Sequence, residues 1–159
     1  MHKMFLLAAL AAATALLAAA GASATGQAGA SPTAKKVVIS TRTLPTLGTV
    51  LVDSKGRTLY MFVPDKRKRV TCVKTCAAVW PPVMLPSGAT PVAKSKAKAA
   101  LLGSDRDPAG GRVLTYGRWP LYTYVADTRP GQAKGQAIDV NGGLWYVLAP
   151  SGRVIRKKA

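Results

Sequence analysis

The chain has 159 residues, with 23 Lys+Arg against 6 Asp+Glu, a formal net charge of +17 and two cysteines. That length admits one domain plus a targeting segment and excludes a large multidomain enzyme. The hydrophobic content of 48% is inflated by residues 1–24, and the rest of the chain has an ordinary globular composition while keeping all of the charge except Lys3.

Met1-His2-Lys3 is a short basic start, residues 4–20 are an Ala/Leu run broken only by Thr14, and Ala22-Ser23-Ala24 supplies the small residues a signal peptidase needs. This pattern predicts a secretory signal peptide over 1–24, cleaved after Ala24, in preference to a retained membrane anchor. Lipidation would need a cysteine at the cleavage point, and the first cysteine is Cys72. The expected product is exported, periplasmic or extracellular, and not lipidated. Residues 25–46 read as a flexible linker and lead-in, rich in Gly, Ala, Ser and Thr up to Lys36.

A single β-rich domain is expected over 47–159. Residues 50–52 and 57–63 flank the loop Asp53-Ser54-Lys55-Gly56 in the manner of a hairpin, and 144–148 and 153–155 flank Ala149-Pro150-Ser151-Gly152 in the same way. A third extended pair, 112–115 and 121–126, surrounds Tyr116-Gly117-Arg118-Trp119-Pro120, and Gly103 to Pro108 reads as a solvated turn holding Asp105 and Asp107. One helix is predicted over 92–102, with Thr90 as N-cap, Pro91 at its first position and Gly103 at its stop.

An internal repeat organises these elements. Leu59 to Asp65 and Leu121 to Asp127 both read Leu-Tyr-x-aromatic-Val-x-Asp, 62 residues apart, and each is followed by a tryptophan, Trp80 or Trp145. The fold class expected is therefore mainly β: two pseudo-repeated antiparallel units, about 47–90 and 110–155, forming a small sandwich or barrel with one short helix between them. On a strand, Tyr60 and Phe62 share one face while Leu59, Met61 and Val63 share the other, so this strand is expected to be covered on both sides. The same pattern buries the aromatics of Tyr122 and Tyr124. Two roles stand open for Asp65 and Asp127: a carboxylate that accepts turn amides, or a ligand-facing acid beside an aromatic platform. Burial of the aromatics favours the first.

The paired Tyr-x-(Phe/Trp/Tyr)-x-x-Asp signature, the segment Cys72 to Pro82, the run Leu114 to Tyr122 and Asn141-Gly142-Gly143-Leu144-Trp145-Tyr146-Val147 together resemble the bacterial family of predicted lipoproteins and secreted repeats known by that signature. The likeness spans about 47–152. It implies the repeat architecture and an envelope setting, and it implies no activity, because none is established for the family. The chain departs from the lipoprotein label in lacking an acylatable cysteine near its signal, which argues against a lipid tether.

The absences restrict chemistry. The only histidine is His2, inside the signal, and there is no Glu. Exported protein would therefore lack an imidazole, which removes the commonest general base and most zinc or haem ligation, so neither an enzyme nor a metal site is expected. An Asp65/Asp127 acid–base pair is the one catalytic arrangement the repeat suggests. Outside the cytoplasm Cys72 and Cys76 most simply form a disulfide, whose small loop should contribute less than about 3 kcal/mol. The alternative is a redox or copper-handling role for the two thiolates, with Met84 nearby; apart from copper in that role, no cofactor is expected.

Three basic clusters carry much of the charge: Lys66, Arg67, Lys68 and Arg69; Lys94, Lys96 and Lys98; and Arg156, Lys157 and Lys158, with Arg153 close to the last. So large an imbalance exceeds what solubility requires. In an exported protein it points to anionic envelope surfaces or polysaccharides, with peripheral membrane association included. Specific nucleic-acid binding is not expected, because the aromatics lie in strand patterns and not among the basic residues. The preferred reading is a non-catalytic binding or structural module of the cell envelope.

Overall fold

The computed structural model describes residues 35–66 and 69–159. The predicted signal peptide, most of the predicted linker, and Arg67 and Lys68 lie outside them.

The chain enters on β1 (Lys36–Leu44), which pairs antiparallel with β2 (Gly48–Asp53) from Leu44↔Gly48 to Ile39↔Asp53. The segment expected to be lead-in is thus partly a core strand: Ile39 and Leu44 are buried, and its β-branched run takes a strand on each side. After β2 the expected turn forms. Asp53 Oδ1 accepts the N–H groups of Lys55 and Arg57, and Gly56 (φ +76°) donates its N–H to the Asp53 carbonyl. The chain then leaves this hairpin after Thr58 and Leu59, because β3 (Tyr60–Phe62), apolar on both faces, pairs instead with β9 (Gly143–Val147).

A 3₁₀ turn (Val63–Asp65) follows β3, and the one α-helix among the described residues is α1 (Thr75–Val79). The helix expected at 92–102 does not form. β4 (Thr90–Ala93) runs parallel to β1 there, and a 3₁₀ turn (Ala99–Leu101) follows. Thr90 and Lys94 donate their N–H groups to Lys35 and Ile39, so Pro91, one residue out of phase, turns its missing donor away from β1. As the outer strand in the order β2-β1-β4, β4 accommodates a proline at no hydrogen-bond cost. The Thr-Pro pair that resembled a helix start is therefore an edge-strand device, and Ser95 (φ +56°) ends it.

β5 (Leu102–Arg106), β6 (Arg112–Tyr116) and β7 (Trp119–Pro120) form a second sheet in that order, with Gly117 and Arg118 at positive φ making the tight turn. Asp105 thus lies in a strand, not a turn. Asp107 does hold the turn, accepting the Ala109 N–H at 2.9 Å, but it is buried where a solvated position was expected. Past Leu121 and Tyr122 the expected strand over 121–126 stops in turns. β8 (Asp139–Val140) and β9 complete the third sheet, β3-β9-β8, and the C-terminal hairpin closes as expected through Ala149 and Arg153.

The fold is mainly β, three small sheets with minimal helix. Strands β3 and β9 are covered on both sides, while β8 is exposed. Tyr60, Phe62, Trp145 and Val147 face one apolar cluster, while Leu59, Met61, Tyr146 and Leu148 face the other. This is the double burial the alternating pattern predicts.

Candidate functional site

The two motif tyrosines meet. Each donates its backbone N–H to the other's carbonyl, at 2.9 Å and 3.0 Å, in an antiparallel bridge that joins corresponding positions of the two repeats. Such a bridge has local twofold symmetry, and the side chains around it follow that symmetry by exchange.

The Tyr60 hydroxyl donates to Asp127 Oδ2 at 2.6 Å, and the Tyr122 hydroxyl donates to Asp65 Oδ2 at 2.7 Å. Each motif is therefore closed by the carboxylate of the other. The remaining carboxylate oxygens accept amides from the loop that follows their own repeat: Thr71 N–H and Oγ1–H reach Asp65 Oδ1 at 2.9 Å and 2.7 Å, and Lys134 N–H reaches Asp127 Oδ1 at 2.9 Å. The next residue along each loop serves the tyrosine. Gly135 donates its N–H to Tyr60 Oη at 3.2 Å, and the Cys72 backbone amide stands beside the Tyr122 hydroxyl.

The rings are exchanged in the same way. Phe62 stacks on Trp145 at 4.2 Å, Trp145 on Trp80 at 3.9 Å, and Trp80 on Tyr124 at 4.1 Å, a column of four nearly parallel rings. Tyr60 and Tyr122 meet the tryptophans of their own repeats edge-on, at 5.4 Å and 5.2 Å. Burial and the neighbouring carboxylates push both tyrosine hydroxyls far above their ordinary range, so they remain donors. Burial also raises the Asp65 carboxyl, against the lowering effect of its bonds from Thr71 and Tyr122. All these groups bind the chain to itself. Both carboxylates are buried, and the ring column reaches the surface only at Tyr124, which is half-buried.

Cys72 and Cys76 form a disulfide with Cα atoms 5.2 Å apart, inside the same apolar cluster. It fixes the stretch that carries the Thr71 and Cys72 amides to their partners. With the sulfurs joined, neither is a thiolate.

The basic residues lie elsewhere. Lys66 is exposed at the end of the first 3₁₀ turn, and Arg69 beyond it donates its N–H to the Asp65 carbonyl. Lys94 and Lys96 flank β1, while the Lys98 N–H is bound by the Tyr116 hydroxyl at 2.8 Å. Arg156 lies over the Tyr146 ring at 5.3 Å, the Lys157 carbonyl accepts the Gln136 side chain at 2.7 Å, and Lys158 is exposed.

The family model for Lipoprotein_15, described as a secreted repeat of unknown function, matches residues 41–84 and 104–149, two copies covering more than half of the chain. The chain belongs to this family. No curated protein and no solved structure matches it. The two matched copies of the secreted repeat contain the two Tyr-Asp motifs and the two tryptophans that stack on each other. The likeness read from those motifs in the sequence is the same family.

Several contributors to this centre escaped the sequence. A Cβ on Gly135 would stand 2.6 Å and 2.8 Å from Trp80 ring atoms and 3.0 Å from Tyr60, so only glycine brings that amide to the tyrosine. Gln136 beside it is buried, accepts the Val147 N–H, and holds the carbonyls of Ile155 and Lys157. Their signal was one of two Gly-Gln pairs in a basic loop, Gly131-Gln132 and Gly135-Gln136, which resemble any turn.

Proposed function

We propose that this secreted repeat protein is a non-catalytic module of the cell envelope, in which the two-repeat core is a rigid scaffold holding cationic loops toward anionic envelope material. The proposal includes export with cleavage after Ala24, absence of a lipid anchor, and peripheral association with anionic surfaces. The supporting observation is the distribution of charge. Among the described residues one ion pair occurs, Arg57 with Asp53 at 2.7 Å, while Asp65 and Asp127 are committed to tyrosines. Among the described residues every lysine and arginine is exposed, so their positive excess faces outward. The interior engagement of the two aspartates supports a scaffold in preference to an acid–base pair.

The test is retention of the protein on heparin and on anionic liposomes as salt is raised. Binding should weaken steeply between about 50 and 200 mM, as counterion-linked association does. Equal binding to neutral and anionic vesicles would refute the proposal.

A further inference from the structure

Two clefts on the β1–β2 side of the molecule, of about 630 Å³ and 380 Å³, share Val38, Asp53 and Ser54 in their walls and so adjoin, together forming a bipartite groove. Its apolar lining is Val38 and Val52 in the first cleft and extends through Val37, Pro81, Pro82, Val83 and Met84 in the second. Arg42, Lys55 and Lys94 line one half, and Lys36 and Arg57 the other. The single acid, Asp53, is already committed. Its Oδ2 accepts Arg57 Nε and Nη2, both at 2.7 Å, and its Oδ1 accepts two backbone amides. The groove therefore keeps an excess of positive charge along its whole length.

The cations are accompanied by hydroxyls. Ser40, Thr41 and Ser54 line the first half and Thr123 the second. The chain after β4 holds this wall in place: Lys94 N–H donates to the Ile39 carbonyl at 2.8 Å, the Ser40 and Ser95 hydroxyls are 3.0 Å apart, and Lys96 N–H reaches Thr41 Oγ1. Arg42 is seated as well, because its side chain lies against Gly56, where a Cβ would come within 3.3 Å of the guanidinium, and against Gly131. Among the described residues, no aromatic ring lines either cleft.

We infer that this groove is the binding track for a linear anionic glycan, with acid groups set against the cations and sugar hydroxyls against the serines and threonines. An extended polymer can span two adjoining clefts, whereas a single small anion would occupy only one. The lack of a stacking surface disfavours single-stranded nucleic acid. This inference rests on the envelope-polyanion reading and refines it, because it moves recognition from the loops at 66–69 and 156–158 to a track in which Lys94 alone belonged to the clusters evident in the sequence.

The experiment compares two double variants that each remove two positive charges, Arg42→Ala/Lys94→Ala in the groove and Lys66→Ala/Arg69→Ala in the loop. Each is titrated with a heparin octasaccharide, a hyaluronan oligosaccharide and an oligothymidylate of matched charge, after thermal melts establish that both variants fold. The groove variant should lose about tenfold or more in glycan affinity, with the loop variant within about twofold of the parent. Equal losses, or a larger loss in the loop variant, would overturn the groove while leaving the polyanion reading intact. Tighter binding of the oligothymidylate than of either glycan would overturn the glycan assignment, and no binding to any of the three by the parent protein would overturn both.

Discussion

Asp65 and Asp127 perform the same task in two differently built surroundings. Both are buried carboxylates bound by the tyrosine of the opposite repeat and by the amide of a following loop. Around Asp65 the donor Thr71 adds a hydroxyl bond and is followed directly by the Cys72–Cys76 disulfide. Around Asp127 no disulfide is present, and the loop is fixed by Gly135 pressed beneath Trp80, with Gln136 anchoring the C-terminal segment. The amide geometry a carboxylate requires can thus be met by a staple or by close packing, and the shared centre holds the two solutions to one arrangement.

The strongest challenge to that shared centre is removal of a column ring. Trp80→Ala and Trp145→Ala should each cost about 3–5 kcal/mol in urea unfolding, and the double variant less than the sum, because the two rings contact each other. A near-neutral result at either would disprove the column as a unit. Tyr60→Phe and Tyr122→Phe come next, at about 1.5–3 kcal/mol each, since each loses a hydrogen bond to a charged acceptor. Their local effects should be crossed: amide exchange at Lys134 should rise in Tyr60→Phe, and at Thr71 in Tyr122→Phe. Effects confined to the mutated repeat would refute exchange.

The two loop closures separate at smaller cost. Gly135→Ala should destabilise by about 1–3 kcal/mol through overpacking against Trp80, measured by thermal melting. Reduction of Cys72–Cys76 should cost about 2 kcal/mol, as expected for so short a loop, and should raise exchange at Thr71 while sparing Lys134. The smallest effect concerns pH. Asp65 binds its proton more tightly folded than unfolded, so its contribution is fully present below the ordinary value of 3.8 and is lost as pH rises through the raised folded value. The stability difference between the parent and Asp65→Asn should therefore shift against the parent over that window. A flat difference curve would show that burial does not perturb this carboxyl.

The elements legible in the sequence were those whose signal is local. Two-sided apolarity identified β3 as covered on both faces, the Gly-terminated loop identified the C-terminal hairpin, and the cysteine spacing indicated the disulfide. β4 was misread because Thr90-Pro91 fits a helix start and an edge strand equally well, and only pairing with β1 decides between them. The crosswise closure was invisible for another reason. Tyr60 and Asp127 are 67 residues apart, Tyr122 and Asp65 are 57 apart, and each aspartate reads as the end of its own repeat. Of the groove cations only Lys94 stands in a basic cluster of the sequence; Arg42 and Lys55 are scattered in the chain and join it only when β1 pairs with β2 and β4.

The exchange between repeats also dictates a timetable. As the chain lengthens from its N-terminus, Asp65 has no tyrosine until Tyr122 exists, Tyr60 has no carboxylate until Asp127, and Phe62 has no stacking partner until Trp145. The first repeat cannot finish its own interior until the second repeat is available, so consolidation of the core comes late. Contacts of such long sequence separation close slowly. A chain with that property stays unconsolidated through most of its synthesis, a state compatible with being threaded across a membrane before it folds.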